Sequence, residues 1–255
     1  MIKRLLTYAA TLFSSTSMAA NETAEEKLWQ QTYGAREHFY EENFGKLPHD
    51  ILKLTHLFGV WPRGGLFVIT PQKLGEDLWV YSTFGFTNPD MPATMTSTNV
   101  TTKTTGKRVD STSLTLELKE KVRERTARPG YGYEVLVLAR EQAEWPLGIL
   151  QWVTNAEILN DADLLSRVEK YNGITVEEVN VGDGRRVNLL IAKAQAPLPA
   201  TMTLPNGNAQ FLVATVITEE EMDWSKEHGR EGLLSKLQDG GIKQVSVLER
   251  PSVIK

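Results

Sequence analysis

The sequence predicts an α+β fold in which a mixed, mostly antiparallel sheet is flanked by helices, as a single domain. Ser113–Glu120 alternates leucine with polar residues, as expected of a strand with one buried face. Tyr133–Ala139 is apolar on both faces, which is typical of a strand at the centre of a sheet. A threonine followed three residues later by glutamate, the capping box with which many helices begin, occurs at Thr23 and at Thr218.

The N-terminal part of the chain is predicted to contain a helix and three strands. Ala24–Asn43 carries leucine and aromatic residues at broadly helical intervals. Short strands are predicted at Leu57–Trp61 and Leu66–Thr70, and a longer one at Leu78–Phe86. Thr87–Thr105 is rich in threonine, proline, serine and asparagine, so we expect a long exposed loop there, of a kind that often carries recognition.

The middle of the chain is also predicted to contain both strands and helices. Ser113–Glu120 could instead extend as a helix through Arg125. Pro146 suits the start of a helix, since proline has no backbone N–H to leave unpaired in the first turn. Val176–Val181 and Val187–Ala192 flank a Gly-Asp-Gly sequence and predict a hairpin, because glycine adopts the positive φ that tight turns need.

The C-terminal part is predicted to alternate strands and helices. Ala209–Ile217 reads as a strand after an Asn-Gly turn, and the helix that begins at Thr218 should end at Gly229. Glu231–Asp239 predicts a further short helix, and Lys243–Glu249 a final strand.

Composition limits the classes of function. The 255 residues are 41% hydrophobic, with a formal net charge of −4, which argues against a general nucleic-acid binder because such proteins need clustered lysine and arginine. There is no cysteine, hence no disulfide framework or thiol nucleophile. Beyond the N-terminus no apolar run is long enough to span a membrane, so we expect a soluble protein.

The N-terminus resembles a secretory signal peptide. Met1-Ile-Lys-Arg4 is basic, Leu5–Phe13 is mostly apolar, and Ser17-Met18-Ala19 places small residues where signal peptidase cleaves. We therefore expect cleavage after Ala19 or Ala20 and a periplasmic product. The alternative is an ordinary N-terminal helix.

Signatures of catalysis and of metal binding are missing from the sequence. His38 and Glu42 are four residues apart on the predicted helix, a spacing that favours a solvated ion pair over a metal site. Asp161 and Asp163 resemble the start of a calcium loop but lack its later glycine and glutamate, which favours a turn near a helix end. No nucleophile elbow or phosphate-binding loop is present, so we expect no catalytic residue, metal or cofactor. Glu144, if enclosed by apolar neighbours, could still act as a general acid.

The tryptophans have two possible uses. They could form an exposed aromatic surface for a ligand or a partner, but core packing is the more common use of so large an apolar group. The residues concerned are Trp61, Trp79, Trp145 and Trp152.

Three blocks of sequence together resemble the Suppressor of fused family. The first, Leu78–Pro92, is similar to its aromatic strand and following loop, although Thr87-Asn88 stands where the family has Ser-Asp. The second runs from a Gly-Tyr-Gly-Tyr-Glu sequence at Gly130 through an apolar strand to Trp-Pro and a helix, and the third is Leu204–Glu221. The resemblance extends from about Gly59 to Arg250.

The resemblance implies binding rather than catalysis. Animal members sequester transcription factors through an extended peptide, and bacterial members resemble immunity proteins of toxin systems. With the signal peptide, this leads us to expect an immunity protein that neutralises a cognate toxin in the periplasm. The expected organisation is a signal peptide at residues 1–19, an N-terminal helix at 20–44 and a Sufu-like domain at 45–255. The alternative is a periplasmic hydrolase or small-ligand-binding protein.

Candidate contact residues come from two sources. Tyr81 and Asp90 correspond by position to the peptide-binding strand and loop of the animal relatives. Glu219, Glu220 and Asp223 form an acidic stretch that could face a basic partner, although acidic residues in a first helical turn also counter the helix dipole. The oligomeric state is not predicted by the sequence.

Overall fold

The computed structural model describes residues 23–57, 60–61, 63–71, 74–75, 77–105, 108–120 and 128–254, with the backbone alone between 93 and 120. The predicted signal peptide at residues 1–19 lies outside the described residues. So does the possible helical continuation through Arg125.

The described part of the chain contains five α-helices and ten strands. The helices are α1 Ala24–Asn43, α2 Trp145–Thr154, α3 Leu164–Tyr171, α4 Glu219–His228 and α5 Arg230–Asp239, with a 3₁₀ turn at Thr55–Leu57 and a π-helical turn at Asn155–Leu159. The strands are β1 Gly65–Ile69, β2 Trp79–Phe84, β3 Ala93–Thr105, β4 Arg108–Glu120, β5 Tyr133–Ala139, β6 Ile174–Gly182, β7 Arg185–Lys193, β8 Thr201–Leu204, β9 Gly207–Ile217 and β10 Val245–Ser246.

Eight of these strands form one sheet in the order β1-β2-β5-β9-β7-β6, with β8 paired to β9 and β10 paired to β5. The pairings β5–β9 and β5–β10 are parallel, and the others are antiparallel. β3 and β4 form a separate two-stranded ribbon. The α+β prediction is confirmed. Every residue of β5 is buried, as expected of the predicted central strand.

Helices cover both faces of the sheet. α2 and α3 pack on one face, where Ile149 and Val168 meet strand residues such as Val137. On the other face α1 supplies Tyr40, and its ring lies 5.8 Å from that of Phe211 in β9. A third apolar cluster joins α4 and α5 to the C-terminal segment. The sheet is thus held as a rigid platform between helices.

Several predicted elements have the expected bounds. α1 spans Ala24–Asn43, and Thr23 accepts a hydrogen bond from the backbone N–H of Glu26. The capping box at Thr218 has both of its hydrogen bonds, and Gly229 ends α4 with a φ of 84°. β6 and β7 form the predicted hairpin. Trp61 and Trp145 lie in the core, in line with the packing interpretation.

Other predictions are wrong. The described residues of Leu57–Trp61 are not in a strand, because Thr55–Leu57 forms a 3₁₀ turn and the backbone N–H of Trp61 donates to the carbonyl of Leu57 at 2.7 Å. Thr87–Thr105 is not one long loop, since its residues from Ala93 onward pair with β4. The final strand shrinks to Val245–Ser246, because it lies beside β5 only at that strand's last residues.

Candidate functional site

The loop that follows β2, residues 85–92, is held from below by a buried ion pair. α1 carries Arg36 under the loop, and Glu134 is the second residue of β5. Both side chains are 0% exposed, with 3.6 Å between Arg36 Nη1 and Glu134 Oε1. Arg36 also donates through Nη1 to the Thr87 hydroxyl and through Nη2 to Asn88 Oδ1, both at 2.7 Å. A helix, a loop and a central strand therefore meet at one guanidinium.

Glu134 fixes the path of the same loop. Its Oε1 accepts from the backbone N–H groups of Gly85 and Thr87, at 3.0 and 3.1 Å, and from the Thr87 hydroxyl at 2.7 Å. Its Oε2 accepts from the Thr83 hydroxyl at 2.7 Å. A buried carboxylate needs such donors, since an unsatisfied buried charge costs several kcal/mol. The loop backbone supplies them only in this conformation.

Aromatic rings surround the ion pair. The Arg36 guanidinium lies 4.1 Å from the centroid of the Phe84 ring. Burial lowers the pKa of Arg36 from its ordinary value, while the negative charge of Glu134 raises it. Burial, with the nearby charge of Glu134, raises the pKa of Tyr40 well above its usual value, so its hydroxyl stays protonated and pairs with Ser82 at 2.7 Å.

Further contacts hold the first residues of the loop. The backbone N–H of Tyr131 donates to the carbonyl of Phe86 at 2.9 Å, and the Asn206 amide donates to the carbonyl of Thr87 at 3.0 Å. Gly130, with a φ of +56°, lets the chain pass so close that a Cβ there would meet the Phe86 oxygen at 2.2 Å. Asp90 lies later in the same loop and is exposed as a residue, while partial burial of its carboxyl group raises its pKa.

Tyr81, the other residue placed by resemblance, is buried in β2. Its hydroxyl donates to the carbonyl of Ala143 at 2.9 Å and accepts from the backbone N–H of the same residue at 2.8 Å. In this conformation Tyr81 ties β2 to the segment before α2 and presents no surface to a partner. Its role in binding stays a prediction.

The structure separates the two predicted contact regions. The carboxyl end of β2 lies beside the start of β5, and the start of β5 pairs in parallel with β9 near Gln210. α4 follows the opposite end of β9, so its exposed residues Glu219, Glu220 and Asp223 lie about 25 Å from the loop end, for a strand rise of about 3.3 Å per residue. A compact partner would contact one end or the other.

The sequence interpretation missed Arg36 and Glu134. One indication was present, because Glu134 is a charged residue within an otherwise apolar central strand, and a buried carboxylate requires a partner. Its position in the Gly-Tyr-Gly-Tyr-Glu sequence gave a second indication. Nothing local marks Arg36 among the other charged residues of α1.

Two other buried carboxylates among the described residues also stabilise the fold by joining separate elements. Buried Glu157 accepts from the Tyr133 hydroxyl at 2.7 Å and from the backbone N–H of Leu164 at 2.9 Å. Buried Glu221 binds Arg250 through both oxygens, at 2.6 and 2.7 Å. Glu144 is exposed, so the apolar enclosure that would suit a general acid is not found around it.

The described ranges contain neither a cluster of metal ligands nor a membrane-spanning helix. Within the described part of the chain, no group of histidine and carboxylate residues is placed to hold a metal ion. His38 and Glu42 form the expected exposed ion pair at 3.2 Å. Asp163 precedes α3, where a turn was expected. None of the described helices is long and apolar enough to cross a bilayer.

Comparison with known proteins places this architecture in a family. The family model for Suppressor of fused protein matches residues 61–251. A suppressor of fused homologue from Neisseria gonorrhoeae has a TM-score of 0.54 at 14% identity, covering 90% of this chain and 98% of that chain. The Sufu–Fu complex structure gives 0.54 at 17% identity, covering 89% and 92%. No curated protein sequence matches significantly. Because the family model covers most of the sequence, the chain belongs to the Suppressor of fused family.

Proposed function

We propose that this protein is an immunity protein that binds a toxin in the bacterial periplasm and neutralises it. Suppressor of fused is a family of regulatory proteins that bind other proteins, and one structural neighbour was determined as a Sufu–Fu complex. The N-terminal sequence pattern supports export. An inhibitor of this kind needs only to cover an active site, which requires no chemistry of its own.

The observation that carries the proposal is the clamped loop at residues 85–92. A buried charge pair, Arg36 and Glu134, fixes the loop backbone while leaving Asp90 exposed. A preformed loop loses little conformational entropy when it binds, which favours affinity. The protein's net charge of −4 also suits a basic surface on the toxin.

Co-expression tests the function. A candidate toxin is directed to the periplasm, and the protein is produced with or without residues 1–19. We expect survival only when residues 1–19 are present. Death in both cases would overturn the proposal for that toxin, and equal rescue by both forms would overturn the periplasmic location.

Charge reversal at each end of the sheet tests the binding face. Asp90→Lys should weaken toxin binding because Asp90 lies on the clamped loop. The triple change of Glu219, Glu220 and Asp223 to lysine tests the other candidate contact surface, at the far end of the sheet. Binding is measured by calorimetry on the purified proteins. Loss of binding in the triple variant alone would move the contact surface to α4.

A further inference from the structure

A hollow lies at the end of the sheet away from the clamped loop, where β6, β7 and β9 meet the start of α4. Its volume is about 210 Å³. The buried residues that form its floor are 3–7% exposed: Asn188, Val216 and Ile217. The rim carries three exposed charged residues: Glu178, Arg186 and Glu219. The hollow is smaller than the pockets of about 300–1,000 Å³ that hold drug-sized ligands, so it suits a small molecule.

A buried amide connects the two acidic residues of the rim. Asn188 accepts through Oδ1 from the backbone N–H of Glu178 at 3.0 Å, and donates through Nδ2 to Glu219 Oε2 at 2.9 Å. Glu178 lies in a β-bulge, because Glu177 and Glu178 together lie opposite Asn188 in the pairing with β7. Bulges often re-aim side chains beside functional sites. Asn188 therefore fixes the backbone of one acidic residue and the carboxylate of the other.

The charged groups of the rim have capacity left for a ligand. Arg186 Nη1 lies 3.5 Å from Glu178 Oε2, with side chains 61% and 62% exposed. An exposed ion pair of this length contributes little stability, so a ligand can replace it at low cost. Among the described residues, Glu219 is hydrogen-bonded through its side chain only at Oε2, which leaves Oε1 as an acceptor.

We propose that the hollow binds a free basic amino acid, with its carboxylate on Arg186 and its ammonium groups on Glu178 and Glu219. Charge complementarity carries the assignment. The rim has two carboxylates and one guanidinium, and a basic amino acid such as lysine has two ammonium groups and one carboxylate. A guanidinium binds a carboxylate through two parallel hydrogen bonds, and an ammonium is a compact charge with three donors. The apolar part of the floor suits the methylene groups of the ligand.

The mixed charge of the rim disfavours simpler ligands. An anion without an ammonium group would meet both carboxylates, and a cation without a carboxylate would meet Arg186. Because the rim is exposed to water, we expect modest affinity that falls as salt concentration rises. The inference goes beyond the proposed function and does not depend on it, since the hollow and the clamped loop lie at opposite ends of the sheet.

Titration of the purified, isotope-labelled protein with L-lysine, followed by its amide NMR signals, tests the proposal. Saturable shifts should be concentrated at Glu178, Asn188 and Glu219. L-Norleucine lacks the side-chain ammonium and cadaverine lacks the carboxylate, so each should bind about tenfold more weakly, the loss expected for one charge-assisted hydrogen bond. Equal affinity for all three compounds would overturn the proposal, and so would the absence of saturable shifts at these residues.

Substitutions test the role of each charge. Arg186→Met should weaken L-lysine binding about tenfold but leave cadaverine binding at least as strong, because cadaverine has no carboxylate for Arg186. Glu219→Gln should weaken the binding of both compounds. The matched controls, Arg185→Met and Glu227→Gln, change exposed residues that do not line the hollow and should bind L-lysine like the wild type.

The melting temperature of each variant shows whether it is folded. Equal weakening by the rim variants and by their controls would overturn the proposal, because overall charge would then explain the effect. Toxin rescue is measured separately, so failure of either proposal leaves the other standing.

Discussion

Removing one charge of the Arg36–Glu134 pair should destabilise the protein strongly. Arg36→Met would leave Glu134 fully buried without its countercharge, and Glu134→Gln would do the same to Arg36. At the observed separation of 3.6 Å and an effective dielectric constant of about 20, the attraction is about 4–5 kcal/mol. The carboxylate keeps its donors from the loop, which offset part of the loss. We therefore expect each single change to lower the free energy of unfolding by about 3–5 kcal/mol.

The double variant should lose less free energy of unfolding than the two single variants lose in total, because it leaves no buried charge unpaired. An interaction energy of about 2 kcal/mol or more is expected from the double-mutant cycle. The matched control is Arg186→Met, which breaks an exposed ion pair to Glu178 with side chains 61% and 62% exposed, and should cost less than about 1 kcal/mol.

Urea unfolding followed by tryptophan fluorescence measures these differences. In thermal unfolding the single variants should melt roughly 6–20 °C lower, at about 2–4 °C per kcal/mol for a chain of this size. An Arg36→Met variant as stable as the exposed control would refute the reasoning. Strict additivity in the cycle would show that the two charges do not stabilise each other.

Three other substitutions test separate parts of the account. Tyr81→Phe removes both hydrogen bonds to Ala143 and should cost about 1–3 kcal/mol in urea unfolding, yet leave toxin affinity unchanged if Tyr81 acts only within the fold. Trp145→Ala should lower the free energy of unfolding by about 3–5 kcal/mol, because the indole is 6% exposed; an unchanged melting temperature would contradict its burial. Gly130→Ala should destabilise the loop, since the new Cβ would meet the Phe86 oxygen at 2.2 Å, and faster amide hydrogen exchange at residues 85–92 would reveal it.

Sequence patterns correctly predicted the helices and strands whose bounds depend on neighbouring residues. The bounds of α1 and α4 follow from capping residues and from glycine, which act within a few residues of the helix end. β5 follows from an apolar run long enough for one strand. The family resemblance then indicated how these elements are arranged, and the family match and the fold both support it.

The alternating leucines of Ser113–Glu120 predicted part of β4, but β3 was missed because its apolar residues do not alternate in the sequence. Met95 and Val100 are five residues apart, an odd spacing that places two residues on opposite faces of a regular strand. The extra residue Thr98 forms a β-bulge that returns Met95 and Val100 to one face. No local sequence pattern indicates this bulge. Its many threonines suggested a loop, although threonine also suits strands.

The candidate site was missed for a different reason. Arg36 and Glu134 lie far apart in the sequence and meet only when α1 packs across the sheet. Pairing of this kind depends on tertiary structure: a charged residue in an apolar strand marks Glu134, but nothing in the sequence identifies Arg36 as its partner. Asp90 was suggested by its position in the family loop and stays a prediction, and neither the fixation of that loop nor the burial of Tyr81 was predicted.

Titration of the purified protein against the candidate toxin, followed by calorimetry with a parallel assay of toxin activity, tests the central claim most directly. The account predicts saturable stoichiometric binding, loss of toxin activity at the same ratio, and weaker binding by Asp90→Lys. Absence of binding, or binding that leaves the toxin fully active, would contradict it.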